Sequence, residues 1–275
     1  MSTRATPLAA LAVLLAGLWA GAWADSSAPV TALDEKEALA YSQRVLGQAV
    51  GDYAFTDREG RPVRLSHYRG KPLVVSFIYT GCFDVCPATT RNLARAVQAA
   101  TEALGEGSFN VVSIGFNLPF DTPQAMRVFA KRQGISAGNW EFLSPDPATL
   151  DQLTRDLGFL YRPSPKGFDH LVQVTLLDPE GRVYRQVYGE SFALPMLVEP
   201  MKGLITGPPV PASGLSALVE RVRILCTVYD PASGRYRLNY AIFIEIFVGA
   251  SIIGLGLFSL LSEWRRQRRA APRAS

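Results

Sequence analysis

The 275-residue sequence predicts an α/β fold that ends in a membrane-spanning helix. Three observations carry this expectation. Apolar, β-branched runs alternate with segments whose apolar residues recur at helical spacing, the pattern of a sheet covered by helices. One run, Leu73 to Tyr79, is apolar and aromatic throughout and bounded by Gly70-Lys71-Pro72 and Gly81, so it reads as a central strand buried on both faces. A second kind of run, Ala241 to Leu261, is broken only by Glu245 and small residues and is long enough to cross a bilayer.

Taken in order, residues 1–24 carry Arg4, an apolar run from Leu8 to Trp19, and Ala22-Trp23-Ala24 before Asp25. That is the layout of a cleaved secretory signal, with an uncleaved anchor as the alternative. Residues 25–206 then form the folded domain. Tyr53–Phe55 and Val63–Leu65, separated by Asp57-Arg58-Glu59-Gly60, predict a hairpin. The central strand follows, and after Pro87 the residues Leu93, Val97, Ala100 and Leu104 mark the apolar face of a helix. Phe109–Gly115 predicts a strand, and Asp121-Thr122-Pro123 opens a helix with Ala125, Met126, Phe129 and Ala130 on its inner side. Trp140–Leu143 is a short strand, and Asp146-Pro147 opens the next helix, to Leu157. A Pro- and Gly-containing loop, Arg162 to Asp169, leads to a strand from Leu171 to Leu177, a turn at Asp178-Pro179-Glu180-Gly181, a strand to Tyr188, and a helix from Ser191 to Ile205. This order suits a thioredoxin-like sheet. Residues 207–240 read as a Pro/Gly/Ser linker and a membrane-proximal extension, with a helical piece near Leu215–Leu225. Residues 241–261 are the transmembrane helix and 262–275 a basic tail.

The formal net charge is +4. Arg4, Glu245 and the stretch from Glu263 onward, with its five arginines, account for all of it, so residues 25–238 are neutral. The basic character therefore belongs to topology signals and not to a nucleic-acid surface. The arginine cluster is expected to keep the tail on the cytoplasmic side and so to put the folded domain on the far side of the membrane. Ala250 and Gly254 hint at a helix partner.

The chemistry rests on three cysteines and two histidines. Cys82 and Cys86 sit at the turn between the central strand and its helix, with Pro87 suited to the first helical position and Cys86 to the cap. A helix N-terminus favours thiolate, the form that binds metals and attacks disulfides, so Cys86 is expected to have the depressed pKa. The pair is separated by three residues, which leaves room for an ion between the sulfurs. His170, beside Asp169 at a strand start, is the natural third ligand. Two soft sulfurs and one imidazole suit Cu(I); with Asp84 or water as a fourth ligand the same set suits Zn(II). The competing structural readings are a Cys82–Cys86 disulfide closing a very small loop, and a His170 that is only hydrogen-bonded. His67 reads as a loop residue, Met196 and Met201 as core packing, and Cys226 as an odd thiol near the membrane with no assigned role.

Gly81-Cys82-Phe83-Asp84-Val85-Cys86-Pro87 after an apolar strand, Phe120-Asp121-Thr122-Pro123, Trp140-Glu141-Phe142-Leu143, and Asp169-His170 before Leu176-Leu177-Asp178-Pro179-Glu180-Gly181 together resemble the SCO/SenC family of copper proteins. The resemblance covers residues 50–204. It implies a thioredoxin-like fold, a copper ion held by Cys82, Cys86 and His170, and work on the CuA centre of cytochrome c oxidase subunit II. On that reading the chain is a metallochaperone more than an enzyme, with periplasmic copper chaperones or thiol reductants as further partners. The alternatives are a thiol-disulfide oxidoreductase with Cys82 and Cys86 as its redox pair, and a copper or redox sensor. Two departures stand out: Phe83 replaces the proline usual after the first cysteine, and Gly115-Phe116-Asn117 replaces the acidic residue usual after the strand Ser113-Ile114.

Overall fold

The computed structural model describes residues 33–207, 227–230, 235–238 and 241–270. The segment expected as a signal, Cys226 and the helical piece expected near Leu215–Leu225 lie outside the described residues.

The described chain begins with helix α1 (Glu35–Gln43), capped by the Asp34 carboxylate on the amides of Lys36 and Glu37. The hairpin β1 (Ala54–Asp57) and β2 (Pro62–Arg64) follows, then β3 (Leu73–Ile78), α2 (Val85–Leu104) and β4 (Asn110–Gly115). Helix α3 (Pro123–Arg132) is capped by Thr122, and β5 (Trp140–Pro145) leads to α4 (Pro147–Asp156), capped by Asp146. In both helices proline occupies the first turn, where its missing N–H costs nothing. A hairpin of β6 (Tyr161–Ser164) and β7 (Gly167–His170) precedes β8 (Gln173–Leu177), β9 (Val183–Tyr188) and α5 (Pro195–Thr206).

Seven strands form one sheet in the order β2-β1-β5-β4-β3-β8-β9. β3 is parallel to β4 and antiparallel to β8, with Val74 opposite both Val111 and Leu176. Alternation along β3 divides the core. Val74 and Ile78 face α2, α3 and α5, where Leu93, Ala100, Met126, Phe129 and Leu197 are buried. Val75 and Phe77 face the other layer, with Leu150, Leu153, Leu157 and Phe159. Helices on both faces are why β3 carries no polar alternation, and why β8 is likewise buried at every position. Each fully buried Leu or Phe contributes about 1.5–3 kcal/mol. The central polar groups are satisfied internally: the Ser76 and Ser113 hydroxyls lie 2.9 Å apart, and Trp140 Nε1–H donates to Ser113 at 3.0 Å.

The thioredoxin-like α/β fold expected from the element order is the fold observed. Two elements differ. The expected loop at 162–169 is largely the β6–β7 hairpin, pairing Tyr161 with His170 and Arg162 with Asp169. Helix α1 had no counterpart in the expected element order, because its inward residues, Ala38 and Ser42, are too small to make an apolar stripe.

At the C-terminal end, β10 (Thr227–Asp230) and β11 (Arg235–Leu238) pair antiparallel, and α6 runs from Ala241 to Ala270. Its Ile244–Ser262 segment is long and apolar enough to cross a membrane, with mean hydropathy 2.1. The helix continues through the arginine cluster, so the basic stretch expected as a tail is mostly helical.

Candidate metal centre

Everything expected at the site lies beyond the C-terminal ends of the central strands. β3 ends at Ile78, and Tyr79-Thr80-Gly81 turns the chain so that Cys82 N–H donates to Tyr79 O at 3.1 Å. Helix α2 starts at Val85, one residue before the expected cap, with Ala88 N–H bonded to Asp84 O. Cys86 therefore lies inside the first turn, and Pro87 is tolerated as the third residue because the first-turn amides have no intrahelical partner. The Asp84 side chain makes no cap bond. The Cys82 sulfur takes that role, accepting the Cys86 N–H at 3.2 Å.

This geometry reverses the expected division of labour between the thiols. Cys82 has the depressed pKa, down to about 5, because the Cys86 thiol and the Cys86 and Asp84 amides all point at its sulfur, with Tyr79 adding a further hydrogen bond. Cys86 is pushed well above the ordinary thiol range by its hydrogen bond to Cys82 and by burial. The pair holds one proton, on Cys86, and both thiols are reduced and buried. Phe83 between them is 90% exposed.

His170 ends β7. Its Nδ1 lies 3.1 Å from the carbonyl oxygen of Leu171, which can only accept, so Nδ1 carries the proton and Nε2 keeps its lone pair. Its ring packs against Phe116 and Phe159, with centroids 5.6 and 5.3 Å away. Burial lowers its pKa and the Cys82 charge acts in the opposite direction, so the imidazole is neutral and ligand-competent at pH 7. A cleft of about 590 Å³ opens beside it, lined by Glu35, Val85, Asp169 and Glu190 among others.

The structure thus brings Cys82 and Cys86 into contact and sets His170 within electrostatic range of Cys82. Among the described residues, the donor atoms of all three are not gathered within 4.8 Å of one another. The trio that is so gathered, Asp57, Glu59 and Glu141, is an ion-pair cluster with Arg58 and Arg61. His67 is exposed and precedes β3, whereas the thiols follow it. Met201 is buried in the core, but Met196, expected there too, is 49% exposed.

Two residues at the site went unassigned in the sequence. Tyr79 reaches from the thiol loop to the β6–β7 hairpin: its ring meets Phe116 and Phe168, and a Cβ on Gly167 would lie 2.4 Å from its hydroxyl. Asp121, read as part of a helix start, is a fully buried carboxylate. A tyrosine ending a strand and an acid before a capping threonine carry no local signal of either role.

The SCO1/SenC family profile matches residues 42–203, more than half of the chain. The chain belongs to the SCO1/SenC family. It is 23% identical over 148 residues to the SCO1 protein homolog of Bacillus subtilis (strain 168), covering 52% of this chain and 76% of that one. It is 26% identical over 171 residues to the mitochondrial SCO2 homolog of Mus musculus, covering 59% of this chain and 64% of that protein, slightly under two thirds of its length. A solved structure of BsSco, described as a member of the Sco family of cytochrome c oxidase assembly proteins with a disulfide switch, superposes with TM-score 0.51 at 20% identity. That match covers 59% of this chain and 96% of that one and shows the shared fold. The SCO1/SenC match includes the thiol loop, the parallel pairs β3–β4 and β4–β5, and the hairpin that carries His170.

Proposed function

We propose that this SCO1/SenC chain is a membrane-anchored periplasmic copper metallochaperone. It takes up Cu(I) on Cys82, Cys86 and His170 and serves assembly of the CuA centre of cytochrome c oxidase. The observation that carries the reading is the donor set: two buried, unbridged thiols at one helix start, with the Cys82 sulfur accepting the Cys86 N–H, and a histidine whose Nδ1 faces a carbonyl so that Nε2 keeps its lone pair. Two soft sulfurs and one imidazole are the ligands Cu(I) favours. Copper is the cargo, not a resident group. Cys82, already poised as thiolate, takes the ion first; Cys86 gives up its proton to bind; approach of the β6–β7 hairpin brings His170 in. Release runs through ligand exchange, in which a partner's thiolates displace these ligands one at a time. With the domain and an oxidase subunit held at one membrane surface, that exchange runs at high effective concentration.

The test is Cu(I) loading of the reduced full chain in detergent, without oxygen and against a competing chelator. Wild type is expected to hold one copper. Cys82→Ser and Cys86→Ser should abolish tight binding, and His170→Ala should weaken it at least tenfold, about 1.4 kcal/mol. Unchanged stoichiometry in the Cys86→Ser protein would sink the proposal.

A second reading is favoured by the split between the thiols. Cys82 as thiolate and Cys86 as buried thiol are the attacking and resolving partners of a dithiol reductant. Cys82 attacks one sulfur of a partner's disulfide and expels the other as thiolate, which takes the Cys86 proton. Cys86 thiolate then attacks the Cys82 sulfur of the mixed disulfide, forming the Cys82–Cys86 disulfide and expelling the partner's second sulfur as a thiolate, which takes a proton from water. In that case His170→Ala leaves the reaction rate unchanged.

A further inference from the structure

The loop that carries the thiols is held at its base by a side chain from a different loop. Asp121 precedes α3, and its Oδ1 accepts two hydrogen bonds from one residue of the thiol loop, from Thr80 N–H at 2.8 Å and from Thr80 Oγ1–H at 2.7 Å. Its Oδ2 accepts Asn117 N–H at 2.8 Å. The Asp121 main chain is fixed in turn, with its N–H on Asn117 O at 3.0 Å and its carbonyl receiving Ser144 Oγ–H at 2.8 Å. The residue is 0% exposed, and its side chain fills the space above Gly115, where an added Cβ would lie 2.5 Å from Asp121 Cβ. Burial of a carboxylate among neutral donors is costly, and a hydrophobic residue would pack the same space at lower cost. What the carboxylate supplies, and an apolar group cannot, is a two-point grip on Thr80, two residues before Cys82.

We propose that Asp121 is the positioning residue of the thiol pair: through Thr80 it sets where the Cys82 sulfur stands relative to Cys86 and to an incoming copper ion or partner sulfur. This rests on the metallochaperone reading for its copper readout but not for its thiol readout. Gly115 belongs to the same device. The absence of a Cβ at this position leaves the room in which the Asp121 side chain sits.

The experiment compares Thr80→Val, which removes the hydroxyl and keeps the backbone bond, with Thr80→Ser, which keeps both, and with Asp121→Asn, all in the reduced full chain. For each, Cu(I) affinity is measured by chelator competition, the ratio of Cys82 to Cys86 alkylation by peptide mapping, and the unfolding midpoint in the same detergent. Thr80→Val is expected to lose five- to tenfold in copper affinity and to lose the preference for alkylation at Cys82, with its midpoint within a few degrees of wild type. Thr80→Ser should match wild type within twofold on both readouts. Asp121→Asn should show the same losses more strongly. Where wild type itself binds no copper, the metallochaperone reading fails, and the alkylation ratios still decide the positioning role. Wild-type ratios in Thr80→Val and a folded Asp121→Asn overturn it, as does a Thr80→Ser protein as impaired as Thr80→Val.

Discussion

Cys82 and Cys86 differ at the level of single hydrogen bonds. Helix N-terminal amides can serve whichever acceptor faces them, and here they face the sulfur preceding the helix, not the one inside its first turn. Cys82 is thus held as thiolate above about pH 5, and Cys86 stays protonated across the physiological range. Iodoacetamide should therefore label Cys82 with a rate that rises through about pH 5 and is flat by pH 7, with Cys86 labelled only after denaturation. Equal labelling of both residues at pH 7 would contradict this assignment. The reversal of the expected roles was invisible in sequence, where the Cys-Pro step marks a helix start only to within one or two residues.

At the scale of elements, the candidate site draws on three loops: β3–α2 with the thiols, β4–α3 with Asp121, and the β6–β7 hairpin with His170. The hairpin has few residues of its own to bury and is held by rings, Phe168 and Tyr161 against Phe116, and Phe168 against Tyr79. Gly167 is its tightest point, at φ +120 and against the Tyr79 hydroxyl. A side chain there is strained by the backbone and blocked by the phenol. Gly167→Ala should displace the hairpin, lower the unfolding midpoint and weaken Cu(I) binding, whereas Gly60→Ala, in the β1–β2 turn at φ +85 with open space around it, should lower the midpoint and leave copper affinity unchanged. In the core beneath, α2 packs Leu93 at 0% exposure, and Leu93→Ala should cost about 2–5 kcal/mol in a denaturant titration.

For the whole molecule, a neutral folded domain is joined to one apolar helix whose side chains, such as Phe247, Leu255 and Phe258, are 73, 69 and 71% exposed. Exposed rings and leucines in this number need a covering, and the length of α6 fits a bilayer. Removing residues 241–275 should move the protein from the membrane to the soluble fraction without changing copper per chain, and should slow copper delivery to a membrane-bound acceptor. The sequence by itself determined the α/β order, the buried central strand, the capped starts of α3 and α4, and the apolar C-terminal run, because each is written in local patterns of apolar period, caps and proline. It also offered Cys82, Cys86 and His170 as a candidate ligand set, through a thiol pair at a strand-to-helix turn and a histidine at a strand start. Only the tertiary structure decided which thiol is ionised, that His170 rides on a hairpin, and that Asp121 grips the thiol loop. Those outcomes depend on atoms brought together from residues tens of positions apart, where the hydrogen bonds, rings and burial that set them leave no trace in the local sequence.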